Sequence, residues 1–350
     1  MHEAPGRAPG DGTPDAGGSY GGASDGGVPP VGEVDREQLP LSTRDALALD
    51  AAKLAHGRGL SQQRIAEALH VSRPQVSKLL ATARAKGFVR TLVLDPRESD
   101  RALTHGLRER FGLSDVRLVV PAGRGPSDLD QALGHGAAEM LDAAGAMEGA
   151  TLAVWWSSAV RSTLESALGR LRVRPGALVV LGGQDRPGGP DPAFEAFAGR
   201  TAVPVHRAPA PTVHASLAAR IARDEQADAR GHETLVHGAG VLLFGAAPAD
   251  PLALTCPGLL TDAERAQIRE RSVGRICGRF LDPDGRIVAP TLSQRTSGPT
   301  LTALRRTGRT VLVAGGAEQL GVIRAALARR YANHLVTDLA TARRLMTDDD

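Results

Sequence analysis

Between residues 116 and 345 the sequence repeats one unit: a short apolar run, a turn, and then a stretch with apolar residues three and four apart. The runs fall at 116–120, 151–155, 177–181, 203–206, 240–244, 310–313 and 334–337. The helical stretches fall at 129–144, 159–171, 216–224, 261–270, 317–330 and 339–345. Apolar runs of this kind belong to strands buried on both faces, and the helices between them supply the cover. The expected class is therefore α/β, with a mostly parallel sheet between two helical layers. Such sheets bind ligands beyond the carboxyl ends of their strands.

Three strand-to-helix turns at that edge stand out. Trp155-Trp156-Ser157-Ser158 puts hydroxyls at a helix N-terminus, Gly182-Gly183-Gln184-Asp185 is a glycine-rich loop, and Ala314-Gly315-Gly316-Ala317-Glu318 puts small residues before a helix. Helix N-termini carry free N–H groups and favour anions such as phosphate. A Gly-Gly after a strand is ordinarily turn chemistry; three such turns on one edge point to a pocket. No dinucleotide fingerprint, phosphate-binding P-loop, metalloprotease motif or nucleophile elbow is present. His135, His206, His214, His232, His237 and His334 are scattered, and no metal site or cofactor is expected. Asp282, Asp284 and Gly285 resemble part of a calcium loop without its closing Glu, so a hairpin turn is the better reading.

Upstream of residue 95 the pattern changes. Ser42 to His56 reads as a helix ended by Gly57 and Gly59. In Leu60–Arg84, Ile65, Ala66 and Leu69 share one helical face with Ser61 as cap, and His70-Val71 make a turn. Ser72-Arg73-Pro74-Gln75 is a capping box with proline in the first turn, and Val76, Leu79 and Leu80 form the buried stripe that follows. The opposite face carries Ser72, Arg73, Gln75, Ser77, Lys78 and Arg84. This is the layout of a helix-turn-helix whose second helix enters the major groove, where Arg and Lys suit guanine and Gln suits adenine. A helical hairpin of an ordinary α domain has the same spacing, so charge decides. Residues 50–90 hold eight Lys/Arg against two Asp/Glu, a local basic patch of the kind that binds phosphates. The run Lys86–Leu94 alternates after Gly87 and predicts a short strand or wing.

Charge and composition set the domain plan. Residues 1–49 hold three basic and eight acidic side chains, and the net charge of the whole chain is only +3, so nucleic-acid contact is confined to the basic segment. Residues 1–41 are rich in Gly, Pro, Asp and Ser and predict a disordered tail. The remaining plan is a DNA-binding domain over 42–94, a linker helix over 95–113, and an effector and oligomerisation domain over 114–350. Cys256 and Cys277 have neither metal nor disulfide spacing, which points to a reducing cytoplasm, and no run approaches a membrane span.

Three blocks carry a resemblance to the SorC family of bacterial transcriptional regulators. They are GLSQQRIAEALHVSRPQVSKLLATARAKGFV (59–89), SVGRICGRFLDPDGR (272–286) and VLVAGGAEQLGVIRAALARRYANHLVTDLATARRL (311–345), and the resemblance covers about residues 45–346. It implies an effector domain similar to the sugar-phosphate isomerases and deaminases, a sugar or sugar-phosphate effector, double-stranded operator DNA as partner, and a homodimer or homotetramer. By analogy with the family's loops, the effector site comprises Ser157, Ser158, Gln184, Arg275, Gly315, Gly316, Glu318 and Gln319. The chain departs from the family's Ser-Trp-Gly-x-Thr loop at Trp156-Ser157-Ser158-Ala159. Arg275 stands where the family often has an acid, and Gln319 where it often has Lys. A changed or weakened effector is expected, with Arg275, ahead of the apolar Ile276-Cys277 pair, at the surface. The expectation is a regulator and not an enzyme. The alternative is an isomerase- or deaminase-like enzyme with an attached DNA-binding domain, but Asp185 and Glu318 offer it no acid–base partner.

Overall fold

The computed structural model describes residues 41–89, 94–143, 147–168, 174–182, 191–208, 211–250 and 259–347. The tail expected over 1–41 lies almost wholly outside them. Near the N-terminus, α1 (Thr43–Ala52) is capped by Ser42 and runs on into a wider turn over Lys53–Gly57. α2 (Gln62–Leu69) is capped by Ser61, and His70 closes it at φ 53, in the left-handed region. α3 (Arg73–Ala85) opens on a reciprocal cap: Gln75 N donates to Ser72 Oγ at 3.4 Å, and Ser72 N donates to Gln75 Oε1 at 2.8 Å. Ala48, Ala51, Ile65, Val76, Leu79, Leu80 and Ala83 make a core of their own.

The wing expected over 86–94 is not a strand where it is described. Lys86–Val89 is turn and bend, and residues 90–93 lie outside the described residues. Phe88 N donates to Ala83 O at 2.9 Å, closing the end of α3, so Phe88 and Val89 fold back onto the three-helix core. The expected linker helix also divides. Pro96–Ser99 is a 3-10 turn, and Asp100 starts a new helix, α4 (Arg101–Phe111), by accepting from Leu103 N at 3.0 Å.

Next come β1 (Asp115–Val119), α5 (Pro126–Ala143), β2 (Thr151–Trp155), α6 (Ser158–Ala167), β3 (Ala177–Gly182), α7 (Pro192–Thr201) and β4 (Val205–Arg207). They are followed by α8 (Leu217–Asp224), α9 (Ala227–His237), β5 (Val241–Phe244), β6 (Ala246–Ala247), α10 (Asp262–Arg271), β7 (Gly274–Ile276), β8 (Arg279–Leu281) and α11 (Pro290–Gln294). The chain closes with α12 (Leu301–Arg306), β9 (Thr310–Val313), a 3-10 turn at Ala317–Gln319, α13 (Leu320–Ala328), β10 (His334–Asp338) and α14 (Leu339–Met346). Among the described residues seven strands form one parallel sheet in the order β1-β10-β9-β5-β2-β3-β4, and β6-β7-β8 form a small antiparallel sheet.

Both faces of the main sheet are covered, so its strands need apolar residues on both. Leu152, Val154, Leu178 and Val180 pack with Leu133 of α5, Val160 and Leu164 of α6, and Phe194 and Phe197 of α7. Their neighbours Ala153, Trp155, Val179 and Leu181 face the other way, in a cluster with Leu107 of α4, Ile323 of α13 and Leu345 of α14. The chain adds β3 and β4 on one side of β2, then returns to place β5, β9 and β10 on the other. The direction of winding therefore reverses between β2 and β5, which is where open α/β sheets form a crevice.

α7 and α9 fall in stretches to which the sequence pattern assigns no element. α7 is set by Asp191, which accepts from Ala193 N, with Pro192 in its first turn. Its buried Phe194 and Phe197 are packing residues that follow a Pro/Gly-rich stretch. α9 buries only Ala229, so its apolar signal is faint. Two buried arginines also shape this half. Arg279 donates to the carbonyls of Cys277, Thr296 and Gly298, and burial lowers its pKa to about 10. Arg295 meets Glu264 Oε2 at 2.7 Å and donates to His214 O and Leu259 O. The expected turn at Asp282–Gly285 is present, with Gly285 N donating to Asp282 O at 2.8 Å.

Candidate functional site

The crevice between β2 and β5 opens into a cavity of about 420 Å³ at the carboxyl edge of the sheet. Its walls are the loops after β1, β2, β5, β9 and β10. Of the residues predicted from sequence, Ser157, Ser158, Gly315, Gly316, Glu318 and Gln319 line it. Gln184 lies outside the described residues. Arg275 is not among the lining residues. It sits on β7, half-buried and not at the surface as expected, because Ala247 of β6 pairs beside it. Burial pushes its guanidinium below the usual arginine range, and the charge of Asp250 opposes that shift.

Local chemistry fixes each wall. Ser157 is the N-cap of α6, its Oγ accepting from Val160 N at 3.1 Å. Gly316 turns the chain at φ 88, a conformation open to glycine at no steric cost. Gly316 N donates to Asp338 Oδ2 at 2.9 Å and to Thr341 Oγ1 at 2.8 Å. Asp338 is also the N-cap of α14, its Oδ1 accepting from Thr341 N at 2.9 Å. A Cβ on Gly315 would lie 2.4 Å from Asp338 Oδ2, so that position has no room for one. The N–H of Gly316, which the sequence offers to an anion, is thus already held by a carboxylate and a hydroxyl.

Several wall residues escaped sequence reading. The loop after β1 contributes Pro121, Gly123, Arg124, Gly125 and Pro126, and Gly125 N donates to Asp128 Oδ2 at 2.9 Å. The signal was Gly-Arg-Gly-Pro between a strand and a helix, hidden because the helix was expected to begin three residues later. Asp130 of α5 also lines the cavity, hydrogen-bonded to Ser158; burial raises its carboxyl pKa and that bond opposes the shift. Asp338-x-x-Thr341 is a readable helix cap, though nothing local says that it faces a cavity.

The second surface is α3. Ser72, Arg73, Gln75, Ser77, Lys78 and Arg84 are exposed, while Val76, Leu79, Leu80 and Ala83 are buried. Gln75 differs from its neighbours, since its Oε1 already serves the cap. Bidentate contact with adenine needs both ends of the amide, so Gln75 must share or release that bond to read a base.

Among the described residues no helix is long and apolar enough to cross a membrane, and no group of His, Cys, Asp or Glu could hold a metal ion. The family profile of the sugar-binding domain matches residues 95–347. The deoxyribonucleoside regulator of Bacillus subtilis is 30% identical over 322 residues, spanning 90% of this chain and 100% of the relative. The transcriptional regulator LsrR of Klebsiella pneumoniae is 32% identical over 296 residues, spanning 82% of this chain and 88% of the relative. The crystal structure of the full-length sorbitol operon regulator SorC from Klebsiella pneumoniae superposes with a TM-score of 0.67 at 24% identity, covering 88% of this chain and 100% of that one.

Proposed function

Given that the chain belongs to the SorC family of sugar-binding transcriptional regulators, we propose that it binds operator DNA through α2 and α3 and senses a sugar-like effector in the cavity at the sheet edge. Residues 42–94 act as the helix-turn-helix unit, and residues 114–350 bind the effector and assemble the protein as a cytoplasmic homodimer or homotetramer. The observation that carries the reading is the division of α3. One face is sealed in a private core, and the other leaves Arg73, Ser77, Lys78 and Arg84 exposed. A recognition helix needs such a face because its N-terminal residues reach base edges. One short helix covers one half-site, and two-fold copies are the usual route to specific affinity. Effector control then requires the ligand to bind one arrangement of the assembly better than another.

The test is binding of the full chain to duplexes from the region upstream of its own gene and to random duplexes at fixed salt. Arg73→Ala is expected to weaken the specific complex by about 1–3 kcal/mol and to relax preference at one base pair. Equal loss on specific and random DNA would assign Arg73 to phosphate alone and refute base reading by this residue. Absence of any sequence preference in the unaltered protein would refute the regulator reading.

A further inference from the structure

Resting on the effector-cavity reading, we propose that this cavity takes an uncharged polyol, a free sugar or sugar alcohol, in preference to a phosphate ester. The walls offer an anion less than their turns suggest. Among the described residues, three turns that lead into helices at the cavity each have one backbone donor already held by a side chain of the protein, while the start of α13 carries no side-chain cap. Gly125 N donates to Asp128 Oδ2 at 2.9 Å ahead of α5. Val160 N donates to Ser157 Oγ at 3.1 Å in α6. Gly316 N, ahead of α13, donates to Asp338 and Thr341. Ser158 is engaged by Asp130. A phosphate entering here would have to displace these partners before gaining their donors.

Charge points the same way. Among the described residues that line the cavity, three are carboxylates, Asp130, Glu318 and Asp338, against one cation, Arg124. A phosphate monoester brings roughly −1.5 to −2 further charges at neutral pH. Gln319 offers it no cation, and Arg275, on β7, is not among the lining residues. For a polyol the same walls are well matched. Each hydroxyl is both donor and acceptor, a carboxylate accepts from hydroxyls in charge-assisted bonds, and the Gln319 amide supplies one donor end and one acceptor end. The volume of about 420 Å³ lies within the usual range of small-molecule sites.

The experiment is calorimetry, with operator binding in parallel, on the full chain. The probes are pentoses, hexoses, pentitols and hexitols, each beside its own monophosphate, and inorganic phosphate alone. At least one free polyol is expected to bind and change operator affinity. Its monophosphate is expected to bind about tenfold or more weakly, a difference of ~1.4 kcal/mol. Gln319→Lys is expected to narrow or reverse that ratio, and Asp130→Asn to weaken the polyol. Because Asp130→Asn also alters the Ser158 contact, thermal unfolding of the unliganded variant separates loss of fold from loss of binding. A monophosphate that binds the unaltered protein as tightly as its free sugar, or more tightly, overturns this inference and leaves the effector cavity standing. If no probe of either kind alters operator affinity, the effector-cavity reading falls, and this inference with it.

Discussion

Glu264 does two jobs with one carboxylate. Its Oε2 accepts from Thr261 N in the cap of α10 and meets Arg295 at 2.7 Å, and its Oε1 accepts from the Thr291 hydroxyl. Removing it leaves the Arg295 cation buried without a carboxylate, a situation that costs about 3–5 kcal/mol. Glu264→Ala is expected to lose that much in urea unfolding, while Glu264→Gln, which keeps an acceptor for the cap, loses less. A loss below about 1 kcal/mol would mean that Arg295 finds water or another acceptor. The pairing with Arg295 was not legible in sequence, because Glu264 and Arg295 lie far apart in the chain and each looks like an ordinary surface residue; the Thr261-x-x-Glu264 cap is a local pattern. Ser157, Gly315 and Gly316 were legible for the opposite reason. They stand where a strand must turn into a helix, and the Ser157 cap spans three residues, whereas the partners that hold Gly316 N, Asp338 and Thr341, are remote. Asp338 and Asp130 come to the cavity by topology, and no local pattern reports that.

At the scale of elements, the proposed reading of bases by α3 competes with its cap at Gln75. Glutamate is the stronger capping-box partner, and an acidic first turn adds about 0.3–1 kcal/mol. Gln75→Glu is therefore expected to hold or raise the melting temperature while weakening binding to all DNA sequences, through repulsion from phosphates. A variant that loses both would show that Gln75 packs in a way the cap does not explain. Element types were readable wherever the pattern was long and apolar, as in β2, β3, β9 and β10. Reading failed at α9, which buries only Ala229, and at the end of α3, Lys86–Val89. There Phe88 and Val89 cover a helix terminus, so an apolar pair was mistaken for the start of a strand.

Across the whole molecule, a buried and a half-buried histidine tie stability to pH. His334 lies in β10 and His232 in α9, and burial lowers both imidazoles from the ordinary value of 6.5. For His334 the Arg309 charge acts the same way and Asp115 opposes it; for His232 the bond to Val180 O opposes burial, and His206 adds to it. The unfolded chain therefore binds more protons between the lowered folded values and 6.5. Stability rises with pH across that window and is lost as pH falls through it. Unfolding midpoints are expected to drop on acidification below about 6.5, and His334→Gln to flatten the slope. The carboxyls of Glu98 and Asp130 are raised by burial and act with opposite sign nearer the carboxylate range. An unchanged slope in His334→Gln would place the proton uptake elsewhere.

The order of the sheet also bears on how the protein is made. Among the described strands, β1, the first in chain order, pairs in parallel with β10, the last, and α4 is tied to α14 by Arg110 Nη1 donating to Met346 O at 2.8 Å. Helices α1–α3 have a core of their own and can fold while the rest is still being translated. The sheet cannot close until the final strand is released. A message cut short before codon 334 would thus yield a chain whose helices α1–α3 are complete while its sheet edge stays open. Such a fragment would expose unpaired strand edges and be a template for aggregation.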